Sequence, residues 1–147
     1  MSHSILRRKN VKKNYTGQAA SATTDTIGVL PAGAQIVDIL VDTLVAFTGS
    51  TAANLTIGDG TTANLYWATS DITTQGRLAI TNAATKLANW AGATSTASPN
   101  GIGIGATDVK VIATLTPTVA AVTAGTVQYT VMYVVANSNG AQFPASA

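Results

Sequence analysis

The chain has 147 residues, 10% of them charged, one histidine, no cysteine, and a net charge of +2. That length suits one domain that buries about 68–70% of its unfolded surface without a covalent staple. The missing cysteines exclude disulfides, thiolate metal sites and cysteine nucleophiles, and the scarcity of charge argues against an enzyme built around a charged cleft.

Arg7, Arg8, Lys9, Lys12 and Lys13 crowd the first thirteen positions with no acidic neighbour, while the rest holds three basic residues and six aspartates. The net +2 is therefore +5 on a short leader and 3 − 6 = −3 on the body. Residues 1–22 show no hydrophobic periodicity and read as a basic N-terminal arm. The basic run leads into Asn14, Tyr15, Thr16, Gly17 and Gln18, not into the apolar core of a secretion signal. There is also no run of 18 apolar residues, so no membrane span is expected.

From Thr23 the pattern turns β. Ile27 and Val29 mark a short strand. Pro31 and Gly33 make a turn. Val37, Ile39, Val41, Thr43, Val45 and Phe47 then share one face at period two, with Ile36, Asp38, Leu40, Asp42 and Leu44 on the other. Leu55 and Ile57 run into Gly58, Asp59 and Gly60, a hairpin signal, with Leu65, Tyr66 and Trp67 on the return strand. Asp71 to Gly76 reads as a loop or helical turn capped by Asp71, and Leu78 and Ile80 resume alternation. Residues 82–101 carry no clear pattern. Val109, Val111, Ala113 and Leu115 form another face, which Pro117 should end because it has no N–H for a ladder. Val127, Tyr129, Val131, Tyr133 and Val135 give the clearest alternation. The expectation is an all-β chain: an antiparallel β-sandwich or jelly roll of seven to eight strands over residues 23–136, the arm before it, and a polar tail at 137–147.

Candidates for chemistry are few. His3 stands alone in the arm, so a Ser-His-Asp triad cannot be built in the body. Asp38 and Asp42 are four apart on one strand face, about 13 Å along it, too far for paired-carboxylate hydrolysis. They read as solvent-facing strand residues. Gly101 to Gly105 alternates glycine with isoleucine, without phosphate-loop spacing or a following lysine. Asp59 is a single carboxylate, far short of a calcium loop. No catalytic residue, metal or cofactor is expected. Trp67 and Trp90 could line a sugar-binding surface, against the plainer reading that they serve the core.

The arm is the strongest functional signal. Its plain reading is a solvated terminus; its functional one is ordering on an acidic partner surface, which must offset the entropy of ordering. Arg7, Arg8, Lys9, Lys12 and Lys13 would supply polar docking, and Ile5, Leu6 and Tyr15 apolar anchors, with Val11 between the charges.

The stretch from Thr26 to Ile36 (TIGVLPAGAQI), the segment Leu55 to Asp59 (LTIGD), Asp71 to Arg77 (DITTQGR) and Val127 to Val134 (VQYTVMYV) resemble a module of small structural proteins of tailed bacteriophages. The resemblance spans roughly residues 24–135 and leaves the arm outside it. It implies a β-sandwich or jelly-roll virion component of the capsid decoration (cement) type, commonly a homotrimer, with no catalytic motif. The partners it implies are the major capsid protein and further copies of the chain; no membrane and no small molecule is expected, and the negative body argues against nucleic acid. The location it implies is the capsid surface, after synthesis in the host cytoplasm. A tail, neck or head-fibre component and a carbohydrate-binding adhesin module are the alternatives.

Overall fold

The computed structural model describes residues 6–31, 34–79 and 108–135. These form eight strands: β1 (Arg7–Asn14), β2 (Thr23–Leu30), β3 (Ala34–Thr48), β4 (Ala52–Gly58), β5 (Trp67–Asp71), β6 (Gly76–Ala79), β7 (Val109–Thr118) and β8 (Ala124–Val135). They build two four-stranded antiparallel sheets, ordered β1-β8-β3-β6 and β2-β7-β4-β5. The pairings nest, β1 with β8, β2 with β7, β3 with β6 and β4 with β5. One long ribbon has rolled up, closed by the β3–β8 and β4–β7 ladders. This is a jelly roll, and the all-β expectation is met.

The core lies between the sheets. Ile36, Ile39 and Val41 of β3 and Val127, Tyr129 and Val131 of β8 face Ile27, Leu55, Ile57, Trp67, Val111 and Leu115 across it. The alternation read in β8 is realised: Val127, Tyr129, Val131 and Val135 are buried, and Tyr133 packs against them. Burying side chains of this size contributes about 1.5–3 kcal/mol each, the main return against the entropy of ordering the chain.

Strand β3 departs from simple alternation. Its register against β8 shifts between Ile36 and Asp38 and again on both sides of Val45. Each extra residue turns the strand over. Ile36 therefore joins Ile39 and Val41 in the core, while Val37 and Val45 are exposed, contrary to the single face expected from Val37 to Phe47. Asp42 was expected to face solvent, yet it is buried beneath the Arg77 guanidinium, whose Nε and Nη2 donate to its two carboxylate oxygens at 2.5 and 3.2 Å.

Pro117 does not end β7, which runs on to Thr118. Strand β2 reaches only as far as Leu115, so the edge of β7 beside Pro117 has no neighbour that needs a donor. The carbonyl of Ala53, opposite Pro117, accepts instead from the Ile72 N–H at 2.9 Å. The β4–β5 connection is longer than a tight hairpin, covering residues 59–66. Asp59 Oδ1 organises it by accepting from the N–H groups of Thr61 and Thr62 at 2.8 and 2.7 Å.

Gly58 sits where this loop folds back, and a Cβ there would overlap the Thr62 carbonyl. Because backbone, not a pliable side chain, fills that space, Gly58→Ala should destabilise by about 2 kcal/mol or more. Thermal unfolding followed by circular dichroism checks this, and an unchanged melting temperature would contradict the packing described.

A candidate docking surface on the first strand

Residues 7–14, set apart in the sequence as part of an arm, are strand β1. All eight pair with β8, from Arg7 opposite Tyr133 to Asn14 opposite Thr126. The ladder continues through the Tyr15 N–H, which donates to the Gly125 carbonyl at 2.8 Å. The strand lies at a sheet edge and is almost entirely polar, so it has no hydrophobic stripe to read. A charged, lysine-rich strand is a common form of sheet edge, because the charges resist pairing with a further strand. That composition was the available signal for a strand here.

Alternation along β1 sorts its cations into two sets, since directly opposed residues share a sheet face. Lys9, Val11 and Lys13 lie opposite the core residues Val131, Tyr129 and Val127 and lean towards the other sheet. Lys13 Nζ reaches Asp25 Oδ1 of β2 at 3.0 Å. The Lys9 stem lies across Gly28, whose missing side chain leaves room for it. These two lysines lace β1 to β2. Arg8 and Lys12 lie opposite Met132 and Gln128 on the outer face, with Asn10 and Asn14. Both are exposed, and no carboxylate pairs with either among the described residues. They stand about 13 Å apart along the strand.

The other candidates fall as follows. Arg7 and Leu6 are exposed at the start of the strand, Leu6 at 53%. Ile5, His3, Trp90 and Gly101 to Gly105 lie outside the described residues. Tyr15 is no surface anchor: it is 4% exposed, its ring 5.8 Å from that of Phe47 and its hydroxyl 2.8 Å from that of Tyr129. Tyr66 and Trp67 are fully buried, so Trp67 cannot present itself to a sugar. Asp59 is used in its turn, and the described residues hold no cluster of three potential metal ligands.

No family model matches the chain, and no curated protein does. Its fold is similar to those of chains in three solved phage structures. A chain of the cyanophage Pam1 capsid asymmetric unit matches with a TM-score of 0.64 at 18% identity, over 90% of this chain and 86% of that one. One from the capsid of Ralstonia phage GP4 matches at 0.58 and 20% identity, over 92% and 86%. One from the acid-stable capsid of Helicobacter pylori bacteriophage KHP30 matches at 0.53 and 15% identity, over 90% of each chain. At such identities the likeness is one of fold.

The tyrosine pair gives the seating of β1 a pH signature. Burial, then the neighbouring Tyr129 hydroxyl and Asp25, push the Tyr15 hydroxyl far above the ordinary tyrosine range; burial also raises Tyr129. In the unfolded chain both titrate near pH 10, at about the free tyrosine value. Their contribution is thus complete below pH 10 and is lost as the pH rises beyond it. Melting temperatures across pH 8 to 12, a range set around about pH 10, should fall above that value, and the fall should be shallower in Tyr15→Phe. An equally steep fall in that variant would exclude Tyr15 as a source.

Proposed function

We propose that the chain is a capsid decoration protein of a tailed phage. In this reading it binds the outer surface of the assembled head and bridges neighbouring major capsid protein subunits. The observation that carries it is the fold likeness to chains from three phage capsids over nine-tenths of the chain or more. The exposed cations of β1 supply a means of attachment.

The action is mechanical. A protein that binds the assembled shell and not its separated subunits stabilises the shell by mass action. The backbone beneath Arg8 and Lys12 is already ordered by the β1–β8 ladder, so docking orders only their side chains and more of each contact with an acidic surface survives as affinity than on an unordered arm. Lys9 and Lys13 act as positioning residues, since their side chains hold β1 against β2. Arg7 and Leu6 extend the surface at the head of the strand.

Deleting the first fifteen residues would remove β1 and the buried Tyr15 together, and would confuse folding with binding. The charge reversals Arg8→Glu and Lys12→Glu avoid this, because both side chains lie outside the core. The double variant should melt within a few degrees of the parent and lose at least about tenfold in affinity for assembled shells. Parent binding should weaken with added salt as the screening length shrinks. Co-sedimentation with shells of the capsid protein from the same genome measures both. Undiminished binding by the double variant would overturn the docking role of β1.

A further inference from the structure

The nested topology brings four connections to one pole of the roll: residues 15–22, 49–51, 72–75 and 119–123. None contains an aspartate, glutamate, lysine, arginine or histidine. The opposite pole has Asp59 in the β4–β5 connection and Asp108 just before β7. The four connections thus carry no charge of their own; the Asp71 carboxylate borders one of them, where it accepts from the Ala53 and Thr73 N–H groups, and the 119–123 connection can be dehydrated without stripping water from an ion within it.

At its tip is Val119, 84% exposed and with φ at +74°. A β-branched residue in the left-handed region is a steric outlier, and this one gains no burial in return. The connection is held rigidly on both sides of it. Ser50 Oγ accepts from the Thr118 N–H at 2.9 Å, its one proton is shared between the Ala52 and Thr118 carbonyls at 2.7 and 2.9 Å, and the Thr51 N–H donates to the Thr118 carbonyl. Beyond the tip, the Val122 N–H donates to Gln18 O at 3.0 Å and the Thr123 N–H to Thr48 O at 2.8 Å. Ala120 and Ala121 complete a small apolar knob between these clamps. Strain of this kind persists only where the surroundings over-determine it, and it gathers at contact sites.

We infer that this pole is a second contact with the shell, in which Val119 inserts into a neutral, apolar recess of the capsid protein. The inference takes the decoration reading as its premise. An occupant without charge fits the uncharged 119–123 connection, as charged residues are depleted from the cores of interfaces. The 15–22 connection joins this pole to the end of β1, so one seating engages both surfaces. The β1 cations would supply salt-sensitive attraction, and the knob a contact insensitive to salt.

The test compares the parent, Val119→Gly and Val119→Asp on assembled shells of the capsid protein, with melting temperature as the second reading. Glycine is at ease at positive φ, so Val119→Gly should melt a few degrees higher than the parent. The same variant should bind shells about tenfold more weakly, as expected for a lost interface anchor. Val119→Asp should bind more weakly still, in low and high salt alike. A purely structural valine would not separate stability from binding in this way. Parent-like binding by Val119→Gly would overturn the inference and leave the decoration reading standing. Failure of the parent itself to bind shells would overturn both. Loss of self-association in Val119→Gly with shell binding intact would assign the pole to contacts between copies and overturn the inference.

Discussion

The pairing of β1 with β8, fastened by Tyr15, is the constraint on which the rest depends. Without it, β8 would become a sheet edge and the inner faces of Val127, Tyr129 and Val131 would lose their flank. Yet β1 has almost no apolar surface of its own. Its hold comes from a full ladder, one buried aromatic ring, the Tyr15–Tyr129 hydroxyl contact and two lysines that reach across to β2. A buried tyrosine contributes a large apolar area, and its hydroxyl meets a partner, so little is lost by dehydrating it.

The same strand divides its side chains between stability and the proposed docking. The two-residue period of a strand places Lys9 and Lys13 on one side and Arg8 and Lys12 on the other. The first pair is occupied within the molecule, and the second is offered outward. An undivided cluster of five positive charges would repel itself and attract any anion. Divided and fixed, the outer pair has a defined spacing, which is a basis for selecting a partner.

The class of fold was legible in the sequence because β8, β4 and β7 bury one face in regular alternation, and period two survives there without interruption. The phase of β3 was not legible: its bulges move Val37 and Val45 outward and Ile36 inward, and composition does not announce a bulge. Pro117 misled because its effect depends on whether a neighbouring strand reaches it, a tertiary fact. The first strand was hidden by its polarity, since its order comes from β8 and from Tyr15 and not from its own pattern. At the candidate docking surface, the cations were visible as a cluster, but their division into two sets needed the register. The strained Val119 was beyond reach, because nothing in the residues around it fixes the sign of φ.

The decoration account is tested most directly by counting copies of this chain against the major capsid protein in purified particles, using mass spectrometry of intact particles or their quantified peptides. A protein that bridges subunits over the whole head should be present at a simple fixed fraction of the capsid-protein count. A copy number matching a single vertex or a tail ring, or absence from the particle, would contradict the account.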